Sequence, residues 1–150
     1  MFARRSLQLA VVMGALSFVS TAGAAPAGTL IVADHEVTYN AKTFDKDVKK
    51  ASKDTLSKGV DGWTMYVIAY LKKEAGADEV NLVFYDPGSK DKEPVNAFPI
   101  TTRANAKILM TSVTVSPEQG LKAGTKYLVE ITRLIGGREE VYAKTMLTLK

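Results

Sequence analysis

The strongest constraint on the fold is a series of short segments in which apolar and polar side chains alternate, separated by turns rich in glycine and proline. Seven segments are expected to be strands: 29–39, 63–71, 80–85, 95–102, 108–115, 125–134 and 141–149. Segment 63–71 is apolar on both faces, so it is expected to be a central strand that is covered on both sides. Alternation with a period of two places one face of a strand in a core and the other in solvent. The chain is therefore predicted to be all-β, with about seven strands joined by short connections.

Several turns between these segments predict how the strands pair. The polar loop 72–79 is expected to join segments 63–71 and 80–85 as a hairpin, and Gly136-Gly137 is a two-residue signal for a hairpin between the last two strands. Asp86-Pro87-Gly88-Ser89 predicts a turn in which Gly88 takes a positive φ. Pro99 interrupts segment 95–102, which favours an edge position for that strand.

Residues 43–58 depart from the strand pattern. Phe44, Val48, Ala51 and Leu56 are spaced for one face of a helix. Thr43 is expected to cap its N-terminus, and Gly59 is expected to end it in a left-handed conformation. The sequence therefore predicts one amphipathic helical insertion between the first and second strands, with a long charged loop as the alternative.

Many strands, short turns and one helix favour a two-layer antiparallel sandwich over βαβ units. Segment 120–127 contains Leu121, Gly124 and Tyr127 and precedes an alternating strand. This pattern resembles the tyrosine corner of immunoglobulin-like and fibronectin type III-like β-sandwiches. The resemblance covers about a dozen residues and implies a Greek-key sandwich with Trp63 at a core position; it implies no activity.

Residues 1–24 have the three parts of a secretory signal peptide. Arg4 and Arg5 provide the basic region, an apolar run extends from Leu7 to Val19, and small residues follow up to Ala24. The alternative is a membrane anchor, but the run is shorter than the ~20 residues that a spanning helix needs. We therefore expect cleavage after Ala24, a single mature domain at 25–150 with no transmembrane segment, and a periplasmic or secreted location.

Removal of this leader changes the charge balance. It holds two of the 20 basic residues and none of the 16 acidic ones, which lowers the net charge from +4 to +2. Such a small excess argues against a nucleic-acid binder. An apolar content of 46% argues against disorder, and the lack of cysteine excludes disulfide, thiolate-metal and cysteine-nucleophile chemistry.

The residues that could carry chemistry are few. His35 is the single histidine, and on a strand its neighbours Asp34 and Glu36 would point to the opposite face. The remaining candidate carboxylates are scattered through expected turns: Asp61, Asp78, Glu79, Asp86 and Asp91. No serine-nucleophile, phosphate-loop or calcium-loop motif occurs. The sequence therefore predicts no catalytic residues, no metal site and no cofactor.

The expected helix carries an unusual number of lysines. At 100° per residue Lys42, Lys46, Lys49 and Lys53 would share one stripe, which suggests a surface for an anionic partner such as a lipid headgroup, a polysaccharide or an acidic protein. The alternative is a solvated face opposite the apolar one.

Together these features predict an exported, non-enzymatic binding or assembly module that acts through protein–protein contacts in the cell envelope. Such sandwiches bind through end loops or sheet edges, and the candidates are the loops 72–79, 86–94 and 134–140 and the edge strand 95–102. Two alternatives stay open: a hydrolase that uses loop carboxylates, and a small-ligand carrier with a cavity lined by Trp63, Tyr66 or Phe84.

Overall fold

The computed structural model describes residues 25–150, so the predicted signal peptide, 1–24, lies outside the described residues. The elements, in chain order, are β1 (Thr29–Ala33), α1 (Phe44–Ala51), β2 (Thr55–Leu56), β3 (Trp63–Tyr70), β4 (Glu79–Tyr85), β5 (Pro94–Thr101), β6 (Ile108–Val115), a 3₁₀ turn (Pro117–Gln119), β7 (Thr125–Ile135) and β8 (Arg138–Leu149). In the described part of the chain, no helix is long and apolar enough to span a membrane.

The strands form two layers that meet along one side. The hydrogen-bonded order is β5-β4-β7-β8-β1-β3-β6, and β2 adds a short parallel pairing to β8. β1 contacts β8 in parallel at a single register position, Thr29 opposite Lys144, whereas the long pairings are antiparallel. The layers are therefore β5-β4-β7-β8 and β1-β3-β6, a Greek-key sandwich of four strands packed on three.

β3 is a central strand that is buried on both faces, as its composition predicts. Trp63, Met65 and Val67 point into the core between the layers, and the Trp63 indole donates to the Lys150 carbonyl at 2.8 Å. Ile68 and Tyr70 point the other way, into a second apolar cluster beneath α1. A strand with two apolar faces needs cover on both, and α1 supplies the outer cover.

The helix is present but shorter than predicted. It ends at Ala51, and Ser52 adopts an extended conformation, so the prediction of a helix over 43–58 is wrong beyond that point. Leu56 lies in β2 and packs in the main core, since a parallel pairing with β8 replaces the last helical turns. Gly59 bonds to Gly62 in a tight turn instead of capping the helix. Thr43 does precede the helix, but its hydroxyl donates to the Asp47 carboxylate rather than to the helix backbone.

The pairing of consecutive strands was predicted correctly at one end of the chain and wrongly at the other. β7 and β8 form the expected hairpin, and Gly136 and Gly137 both have positive φ. β3 and β4 do not pair, because loop 71–78 carries the chain from one layer to the other. The first strand ends at Ala33 rather than Tyr39.

Two local details differ from the alternation pattern. A bulge between Ile131 and Thr132 shifts the β7–β8 register, so that both Tyr142 and Ala143 are buried. In the turn after β4, Asp86 accepts from the Gly88 amide at 2.8 Å, and Gly88 does not take the expected positive φ.

The tyrosine corner forms as the sequence predicts. The Tyr127 hydroxyl accepts a hydrogen bond from the Lys122 amide at 2.9 Å. Leu121 is fully buried at the end of the core, and Gly124 has φ of 78°. The corner thereby ties the loop before β7 to the strand itself, in a chain that has no disulfide to do so.

We expect the substitution Tyr127→Phe to lower the free energy of unfolding by about 1–2 kcal/mol, because it leaves the Lys122 amide without a partner. Tyr39→Phe is the matched control, since Tyr39 is 66% exposed and should change stability by less than about 0.5 kcal/mol. Urea unfolding followed by Trp63 fluorescence measures both. Equal effects of the two substitutions would contradict the role of the corner.

The contact between α1 and β3 makes the free energy of unfolding depend on pH in the alkaline range. The Tyr70 hydroxyl donates to Asp45 at 2.7 Å; burial and this bond raise the pKa of Tyr70 well above its usual value. The unfolded phenol ionises near pH ~10 while the folded one stays neutral. The stabilisation from Tyr70 is therefore complete below pH ~10 and is lost as the pH rises toward the folded pKa. In urea titrations, the stability difference between the native chain and Tyr70→Phe should shrink from pH ~9 to pH ~11.5. A constant difference would refute this linkage.

Candidate functional site

β6 stands out on the surface of residues 25–150, because it is a sheet edge that none of these residues pairs with or covers on its outer side. Among the described strands it pairs with β3 alone, from Ile108 opposite Tyr70 to Val115 opposite Trp63. Its eight residues include no charged side chain and no proline. Sheet edges are ordinarily blunted by charges, prolines, bulges or covering segments, since unpaired backbone groups invite another strand.

The other edge strand, β5, is protected against pairing with an additional strand. It contains Pro94 and Pro99, and its pairing with β4 has an irregularity near Tyr85. The Thr102 amide donates to the Asp78 carbonyl at 2.9 Å, so the alternation of an antiparallel ladder turns the nitrogen of Pro99 outward. The prediction of an edge strand at 95–102 is correct, but this edge lacks a donor where an incoming strand would need one.

The same alternation identifies the free backbone groups of β6. The Leu71 amide donates to the Lys107 carbonyl at 2.8 Å, so residue 107 and every second residue after it face β3. The amide and carbonyl groups of Ile108, Met110, Ser112 and Thr114 therefore point away from the sheet. We call this row of outward groups, together with its side chains, the β6 edge.

A groove runs beside the β6 edge on the outer face of the smaller layer. It has a volume of about 390 Å³ and is lined by Glu36, Val37, Tyr66, Val67, Ile68, Met110, Thr111 and Ser112. α1 covers β1 and β3 here but does not reach β6, so Ile108 and Met110 are 44% and 43% exposed. A second depression of about 330 Å³ continues past the start of β6, along Arg103, Ala106 and Ile108.

The two layers differ in their number of strands. The layers meet at β8 and β1, so the fourth strand of the larger layer, β5, has no counterpart beyond β6. Val95 and Phe98 of β5 and Val113 of β6 are half-buried and pack on the margin of the core. An added strand at the β6 edge would lie opposite β5 and complete a layer of four.

The four predicted lysines do not form a helical stripe. All four are exposed, but Lys46 and Lys49 alone lie on α1. Lys42 precedes the helix, with its amide bonded to the Asn40 side chain, and Lys53 follows it, with its amide bonded to the Val32 carbonyl. The predicted spacing assumed a helix that extends through residue 53, so this geometry is wrong, while the hypothesis of an anionic partner stays a prediction.

The predicted carboxylate and histidine positions do not converge. Asp34 lies beyond the end of β1 and accepts from His35 at 2.7 Å, contrary to the expectation that the two side chains point apart. This hydrogen bond holds the pKa of Asp34 below its usual value, and both side chains are exposed. Among residues 25–150, no three His, Cys, Asp or Glu side chains are grouped to hold a metal ion.

One charged cluster was missed by the sequence analysis. The Glu130 side chain is 4% exposed on the outer face of β7, and Lys92 from the loop after β4 pairs with it at 3.1 Å. Lys92 also lies 4.8 Å from the centre of the Tyr85 ring, and Tyr85 donates to Glu139 at 2.6 Å. Burial, followed by the bond to Glu139, raises the pKa of Tyr85. The cluster anchors the loop 86–93 on the sheet, and no local sequence pattern marks Glu130 as buried.

The geometry of the β6 edge predicts an alternating pattern of amide protection. In dilute protein, the amides of Ile108, Met110, Ser112 and Thr114 should exchange with solvent nearly as fast as unprotected amides. The amides of Leu109, Thr111, Val113 and Val115 should be slowed by their bonds to β3. Hydrogen exchange followed by NMR measures each site, and uniform protection along β6 would contradict an open edge.

The fold is similar to that of a solved structure. A crystal structure of an immunoglobulin-like protein from Pseudomonas aeruginosa aligns over 84% of this chain and 98% of its own, with 12% sequence identity and a TM-score of 0.43. No protein-family model and no curated protein matches the sequence. The strand order, the two antiparallel layers and the Tyr127 corner are those of an immunoglobulin-like Greek-key sandwich, as residues 120–127 predict.

Proposed function

We propose that this protein is an exported, non-enzymatic binding module of the cell envelope, and that it takes an extended segment of a partner protein onto the β6 edge. The observation that carries the proposal is the contrast between the two edges of one sandwich. β5 is interrupted by Pro94 and Pro99, whereas β6 offers a continuous row of backbone donors and acceptors.

Strand addition supplies affinity through backbone hydrogen bonds and selectivity through pockets for alternate side chains. The β6 edge has both elements. Four residues turn their backbone groups outward, and the adjoining groove places Met110 and Tyr66, together with Glu36, beside the side chains of the incoming strand.

The two alternatives derived from the sequence gain no support from the geometry. A carrier would hold its ligand between the layers, but Trp63 and Phe84 pack within the core, and the grooves beside β6 lie outside it. A hydrolase would place a buried carboxylate in a cleft, but the buried carboxylate Glu130 is paired with Lys92 on the far layer.

Site-specific photocrosslinking in the native cell envelope tests the proposal. A photoreactive residue at Met110 should give a discrete adduct with a partner protein, because that side chain borders the β6 edge. The same residue at Met146 is the matched control: Met146 is 36% exposed but lies on β8, within the other layer. The control should give no such adduct.

A proline at Ser112 provides the decisive variant. Ser112→Pro removes an outward amide without breaking a bond to β3, so the fold should tolerate it as edges tolerate proline. It should reduce the yield of the adduct formed at position 110 about tenfold or more, while Ser112→Ala should leave that yield unchanged. An adduct that survives Ser112→Pro, or that forms equally at Met146, would overturn the proposal.

A further inference from the structure

We propose that the segment accepted at the β6 edge runs antiparallel to β6, is uncharged where it pairs, and carries acidic side chains at its C-terminal end. This inference rests on the proposed function and identifies the chemistry of the partner.

The start of β6 is marked by exposed cations. Lys107 immediately precedes the strand and Arg103 lies in the turn before it, where the Ala106 amide donates to the Arg103 carbonyl at 2.9 Å. Within the described chain, neither side chain has a carboxylate within 4.0 Å. Their backbones are held, because Leu71 and Gly76 bond to Lys107 and Ala104. Both cations therefore project from a turn whose backbone is held, and their side chains are free to pair.

Two exposed acids lie at the other end of β6, where Lys58 also lies 5.8 Å from the centre of the Trp63 ring. Glu118 is in the 3₁₀ turn that follows the strand, and Asp61 precedes the strand that pairs with it. Between the two ends, residues 108–115 carry no charge, and the charged side chain that lines the adjoining groove is an acid, Glu36. Ile108 and Met110 favour apolar and β-branched neighbours across the strand pair, where a charged side chain would lose hydration without gaining a partner.

The preference for antiparallel pairing sets the direction of the incoming strand, and the charges at the two ends of β6 then set where acidic side chains fit. Antiparallel pairing is the more stable arrangement per residue, and it places the C-terminal end of the segment beside Lys107 and Arg103. Acidic side chains there gain two cations, whereas acids at the N-terminal end would face Glu118. A parallel segment would need the reverse distribution of charge and the weaker ladder.

Two probe segments test the inference. Each is displayed at the free terminus of a carrier protein: Thr-Val-Thr-Val-Thr-Val-Asp-Asp, and the same composition with the two Asp residues first. The protein, expressed from its full chain and purified, should bind the first probe about five- to tenfold more tightly in low salt, as expected for partly screened ion pairs. The preference should fall as salt is added.

Charge reversal gives the matched test of specificity. The pair Arg103→Glu and Lys107→Glu should abolish the preference and should favour a probe that ends in two lysines. The pair Lys126→Glu and Arg138→Glu changes the net charge equally on the exposed surface of the other layer, and should leave the preference intact.

The possible failures separate the two proposals. Binding of both probes that Ser112→Pro abolishes, but without preference between them, overturns the polarity and leaves strand addition standing. Absence of binding, or binding that Ser112→Pro does not change, overturns both. A Met110 adduct with twice the mass of this chain would identify the occupant as a second copy, and would overturn the acidic partner segment.

Discussion

The burial of β3 on both faces is the constraint from which the rest of the architecture follows. Its inner residues pack between the layers, while Ile68 and Tyr70 on the outer face require a second cover. α1 meets that need through Phe44 and Val48, and the hydrogen bond from Tyr70 to Asp45 fixes its position. An eight-residue helix covers β1 and β3 but not β6. The open groove beside β6 is thus a consequence of how the core of the smaller layer is closed.

Local patterns predicted the elements that are determined locally. The alternation in 108–115 matches β6 at both ends, Gly136-Gly137 produces the last hairpin, and the spacing of Leu121, Gly124 and Tyr127 produces the corner. The wrong predictions concern elements whose structure depends on pairing with strands that are distant in the sequence. β3 does not pair with β4 because both join partners in separate layers, and α1 ends early because residues 55–56 pair with the end of β8. Neither partner is visible in a local window of sequence.

In the candidate site, too, local sequence predicts some features and distant strands determine the others. Pro99 correctly predicts an edge at 95–102, but the proline that marks this edge also protects it. β6 is rich in apolar and β-branched residues and has no charged residue and no proline, which is the composition of an interior strand. Its position at an edge depends on the order of all the strands, which the sequence does not state. The same holds for Glu130, whose burial depends on Lys92 from a distant loop.

An unprotected sheet edge is a liability for a protein, and the other edge of this sandwich is protected. Open edges lead to unwanted pairing and aggregation, and β5 of the same sandwich avoids this with two prolines. At β6 the outward positions 112 and 114 are serine and threonine, which interact with water while they leave the backbone free to pair. Charges are placed at both ends of the strand and not within it. Under the proposed function, this arrangement would limit promiscuous association through polarity at the ends rather than by blocking the edge, as selective addition of one strand requires.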